Sequence, residues 1–126
     1  MSRFTPWSAP ALHGRALLAA QRQWLAGLTA QLHDDLQQAA PASAVGACLE
    51  SLFSGLLQTL AGEEEAFRQL GIELTGPHLD EHNALCLQID ELLCRHERGE
   101  AVGAALLERL ERWQRQHCAA EDRLLH

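Results

Sequence analysis

Three histidines and a glutamate are the residues of this 126-residue chain whose types and spacing suggest chemistry. His78 and His82 stand four apart, the spacing that places two imidazoles one above the other on a helix. Glu63 lies in an earlier segment and His117 in a later one. Imidazole and carboxylate converging from facing helices are how bundles build metal sites. Arg22 sits in a fourth segment, with a permanently charged guanidinium at the same level. Five ionisable side chains buried together are costly unless they bind something or pair with one another. The pattern therefore points to a metal site, with a metal-free polar network as the alternative that spacing leaves open.

Four helices are needed to bring these residues together. Pro6 and Pro10 hold residues 1–11 as an extended N-terminal arm, and a first helix is expected from Leu12 to Ala39. Pro41 breaks it, and Ser43 is the expected N-cap of a second helix that continues to Leu70. Gly71 ends that helix, and Gly76-Pro77 opens a third with proline in its first turn. Gly99 closes the third, and Glu100 begins a fourth that reaches the C-terminus. Short connections make neighbouring helices antiparallel. The expected fold is all-α, a single domain over 1–126 forming an up-down-up-down antiparallel four-helix bundle.

Apolar residues at 3-4 spacing mark the inward faces. They are Leu18, Leu25 and Leu32 on the first helix and Leu49, Leu52 and Leu56 on the second. The third offers Leu85, Ile89 and Leu92, and the fourth Leu106, Leu110 and Trp113. The polar interruptions of these stripes are Arg22, Thr59, Glu63, His78, His82 and His117. They gather toward one end, because the first and third helices start where the second and fourth finish. His13, His33 and His96 read instead as hydrogen-bonded core histidines.

Composition narrows the function classes. A chain 47% hydrophobic and 21% charged buries a real core, which excludes disorder. A net charge of −7 lacks the positive face that nucleic acid or an anionic membrane requires. No apolar run approaches the roughly 20 residues of a membrane span, and Met1 to Pro10 has no charged-then-apolar leader. A soluble, cytoplasmic protein is expected. Cys48, Cys86, Cys94 and Cys118 form no CxxC pair, so free buried thiols are expected. Cys86, one turn after His82, and Cys118, next to His117, read as small apolar residues rather than thiolate ligands.

Together these residues resemble a bacteriohemerythrin, of the hemerythrin family of non-haem di-iron proteins that bind dioxygen. The likeness runs through Trp7-Ser8 and Gly14 in the arm, Gln21, and Leu60 to Phe67 (LAGEEEAF). It continues in the HxxxH motif His78-Leu79-Asp80-Glu81-His82, in Trp113, and in the HxxxxD motif from His117 to Asp122. The resemblance implies metal ligation by His78, His82 and His117, with Glu63 and Asp122 as bridging carboxylates. Five residues after His117 is about 140° round a helix, whereas Glu121 is about 40° away; the resemblance favours Asp122 and angle favours Glu121.

Two ligand positions depart from the family pattern. Arg22 stands where the family has a histidine on the first helix, and Thr59 where it has one on the second. Those two histidines serve the same iron, so the resemblance implies one surviving half-site and one lost. Arg22 is expected to take the electrostatic place of the second metal by pairing with Glu63 or Asp122, with the Thr59 hydroxyl as a further partner. The expected cofactor is one iron rather than two, with zinc as the alternative. The expected role is binding or sensing of dioxygen, nitric oxide or peroxide, or iron storage. A conventional di-iron dioxygen carrier, a weak iron-dependent oxidoreductase and a metal-free partner-binding bundle are the rival readings.

Overall fold

The computed structural model describes residues 14–38 and 41–125. Four helices follow in order: α1 (Gly14–Leu36), α2 (Pro41–Gln69), α3 (Gly76–Glu97) and α4 (Gly103–Leu125). No strand occurs among the described residues. α1 packs along α2 and α4, and α2 along α3. The Gly14 N–H donates to Gln69 Oε1, and Arg15 donates to the Leu125 carbonyl. The start of α1 therefore meets the ends of α2 and α4. At the far end, Gly103 lies against Leu36 and Val45. These pairings give the expected antiparallel four-helix bundle. The N-terminal arm with Trp7, and His13 after it, lie outside the described residues.

Local chemistry sets the helix boundaries. Gly71 and Gly99 adopt positive φ, 76° and 87°, a region open to glycine and costly for residues with a Cβ. Each closes its helix with the paired hydrogen bonds of a left-handed cap. Ile72 N–H reaches the Phe67 carbonyl and Gly71 N–H that of Arg68; Glu100 N–H reaches Arg95 and Gly99 N–H reaches His96. This moves the expected start of α4. Glu100 is spent in capping α3, and its carboxylate pairs with Arg95 and Arg98, so the next helix opens at Gly103. α2 likewise starts at Pro41 rather than after Ser43, as suits a residue with no N–H to leave unsatisfied.

The core falls into two apolar clusters with a polar layer between them. The larger is built from Leu25, Leu32, Leu49, Leu52, Leu85 and Leu110 with their neighbours. The smaller, at the end where α1 begins, contains Leu17, Leu18, Ala66 and Phe67. The buried polar residues among those described are Gln21, Thr29, Thr59, Glu63, His78, His82, His117 and Glu121, and they include this layer. By length and composition, Ala42–Gln69 is apolar enough to cross a membrane, although its apolar residues form no unbroken run. Its Leu49, Leu52, Leu56 and Leu60 are buried against the other helices, as in the core helix of a bundle.

Other expectations are corrected by exposure. His33 is half exposed beside Asp34 rather than a core residue. Of the four free thiols Cys48 is buried, Cys86 and Cys118 are half-buried and Cys94 is exposed.

Candidate metal centre

His78 is placed by the start of α3. Thr75 caps that helix in extended backbone geometry, its hydroxyl accepting the His78 backbone N–H at 3.3 Å, and proline occupies the first turn. His82 follows one turn later on the same face, and α4 presents His117 beneath Trp113. The His117 and Trp113 rings stack with centroids 4.2 Å apart and planes 15° from parallel. Packing thus fixes the orientation of the imidazole.

Glu63 is the hub. Its Oε1 lies 2.8 Å from His78 Nε2 and 3.4 Å from His82 Nε2, and its Oε2 lies 2.7 Å from His117 Nε2. Ligand atoms of the four residues all fall within 4.8 Å of one another, and all four residues are buried. Imidazole nitrogen and carboxylate oxygen bind a metal at about 2.0–2.2 Å, so ligand atoms around one ion sit about 3–4 Å apart. The group is compact enough for a single ion. Burial alone would raise the Glu63 carboxyl, but its contacts with His117, His78 and His82 outweigh it and hold it well below the usual range.

His82 tests whether these residues fit a metal. Its Nδ1 lies 3.2 Å from Glu64 Oε2. A carboxylate only accepts, so Nδ1 carries the proton. In the neutral ring Nε2 then holds a bare lone pair aimed at another carboxylate, and this buried atom has no hydrogen-bond partner. Leaving such an atom unsatisfied costs about 1–3 kcal/mol. A cation between His82 Nε2 and Glu63 removes that cost, and a histidine backed by a carboxylate is how metal ligands are commonly oriented. Protonation is the metal-free remedy: burial lowers the His82 pKa, but Glu63 and Glu64 reverse that and raise it.

Arg22 faces the other side of the layer. Its Nε donates to Glu121 Oε1 at 3.0 Å, and its second guanidinium nitrogen to Asp122 Oδ1 at 2.9 Å and to the Cys118 carbonyl at 3.2 Å. The expected pairing with Asp122 is present, while Glu63 is taken by the histidines. Thr59 Oγ1 is not the further partner expected of it, since this buried hydroxyl bonds to nothing. Gln21 instead donates to the Thr59 backbone carbonyl.

Of the expected ligands, the structure brings His78, His82, His117 and Glu63 together and leaves Asp122 out. Its side chain is 56% exposed and held by Arg22, whereas the side chain of Glu121 is only 4% exposed. Helix angle explains the difference, because four residues past His117 stays on its face and five does not. Burial, followed by repulsion from Glu63, raises the Glu121 carboxyl. Burial likewise raises the thiols of Cys86 and Cys118, which disfavours thiolate ligation. Glu64 is the functional neighbour that pattern reading missed; its run with Glu63 and Glu65 conceals which carboxylate turns toward α3.

Between α1, α2 and α4 lies a cavity of about 150 Å³, whose lining includes Arg22, Thr59, Glu63, His117 and Glu121. No residue of α3 lines it. His78 and His82 therefore lie beyond the wall that Glu63 and His117 give this cavity.

The model of the hemerythrin HHE cation binding domain matches residues 13–126 of the chain. No characterised protein and no solved structure matches it.

Proposed function

The chain belongs to the hemerythrin HHE cation-binding domain family, and from that premise we propose that it holds one metal ion, iron, through His78, His82, His117 and Glu63. The observation that carries this reading is the orphaned His82 Nε2, aimed at the Glu63 carboxylate within a buried group of four ligands. Neutral imidazoles with a carboxylate suit iron and also accommodate zinc, and family membership favours iron. A bound iron would supply a redox-active centre able to take a small ligand such as dioxygen, nitric oxide or peroxide.

The chain's own residues do the positioning. Glu64 fixes the proton on His82 Nδ1 and so keeps Nε2 free to ligate. Trp113 stacks on His117 and holds its plane. Arg22 neutralises Glu121 and Asp122, supplying positive charge on the side of the layer away from α3. On this reading Arg22 and Thr59 stand in place of a second ion, so the centre is mononuclear. The role is ligand binding or sensing, or iron storage, rather than reversible dioxygen carriage by an iron pair.

Metal content per chain tests the proposal. Protein made in iron-supplemented cells and purified without a histidine tag should carry about one ion per chain, and His82→Ala close to none. Removing the ion from wild-type protein should lower its melting point, because a ligand bound only by the folded state stabilises it. A wild-type protein that takes up no ion, even after anaerobic reconstitution with ferrous salt, would favour the metal-free network.

A further inference from the structure

The cavity between α1, α2 and α4 has features that metal ligation does not use. Its walls are chiefly the apolar side chains of Leu18, Leu25, Leu56, Leu60 and Trp113. At about 150 Å³ it far exceeds the ~30 Å³ share of one water, and apolar cavities of about that volume take up a benzene-sized molecule. Two polar atoms of its lining residues are unclaimed, His117 Nδ1 and the Thr59 hydroxyl. The Thr59 hydroxyl belongs to a residue only 7% exposed and has no hydrogen-bond partner. The charged groups present are already matched, Arg22 with Glu121 and Asp122, and Glu63 with the three imidazoles.

We infer that this cavity is a binding site for a small neutral organic molecule of about six or seven heavy atoms carrying one oxygen, such as a cyclic alcohol. The apolar body fills the space beside Trp113, and its oxygen accepts the hydrogen bond that Thr59 offers. An anion would face Glu63 and Glu121, and a cation would face Arg22, so both are disfavoured. The lining residues that reach solvent are Arg22, Ala26, Gln114 and Cys118, which set the mouth between α1 and α4. No α3 residue lines the site, which meets the histidine cluster only at the wall formed by Glu63 and His117.

Calorimetric titration of the purified full-length chain with cyclohexanol, and separately with benzene, tests the site. Saturable one-to-one binding of both is expected. Thr59→Val keeps the shape of the wall but removes the hydroxyl. It should weaken cyclohexanol about three- to tenfold, the value of one hydrogen bond, and leave benzene unchanged. Ala26→Trp, at an exposed position on α1, should close the mouth and abolish both. Absence of saturable binding to wild-type protein overturns the inference, as does wild-type affinity in Ala26→Trp. Equal loss of both probes in Thr59→Val overturns the role given to the hydroxyl.

Discussion

On the α3 side of the polar layer Glu63 meets three imidazoles; one turn earlier on α2, toward α1, the Thr59 hydroxyl bonds to nothing and Arg22 turns to α4. Both halves place charge in an otherwise apolar bundle, but they compensate it differently. The first gathers donors that leave a lone pair for a cation. The second brings its own cation on a side chain, which forks onto two carboxylates and a carbonyl and needs no ion from solution. Where the guanidinium does not reach, the layer is left with a cavity. One bundle thus holds a site built to receive a cation next to one already supplied with it.

Substitutions on each side should expose that difference. The largest effect on stability belongs to Arg22→Met, which leaves the buried Glu121 carboxylate without its partner. A loss of about 1–3 kcal/mol is expected in denaturant unfolding, partly recovered by adding Glu121→Gln. If Arg22→Met costs nothing, the guanidinium is only a surface group. On the other side, Glu64→Gln should leave the fold intact and weaken metal binding about tenfold, measured by chelator competition, because His82 loses its charged orienting partner. Unchanged affinity would remove Glu64 from the account. The smallest effect is expected of Thr59→Val in the absence of ligand. Deleting an unpartnered buried hydroxyl should stabilise the protein by up to about 1 kcal/mol, seen as a raised melting temperature.

Much of the frame was legible because it rests on local rules. Gly71 and Gly99 mark helix ends through the backbone region that only glycine enters cheaply, and the 3-4 stripes name most of the buried leucines. The four-residue spacing of His78 and His82 survives folding unchanged, and the stripe of α2 singles out Glu63 from its two acidic neighbours. What stayed hidden depends on contacts between elements. Glu100 looks like the first residue of a helix until its N–H is seen closing the previous one. The choice between Asp122 and Glu121 set family spacing against helix angle, and angle decides which of them is buried. Glu64 turns toward His82 only because α2 and α3 meet in one particular register. A cavity is a property of packed volumes, and no residue pattern announces it.

The asymmetry between the halves is tested most directly by the iron-to-chain ratio of wild-type protein and of Arg22→His combined with Thr59→His, measured side by side by mass spectrometry. The account predicts about one ion in the wild type and about two in the double variant, once imidazoles replace the guanidinium and the idle hydroxyl. Two ions in the wild type, or still only one in the double variant, would contradict it.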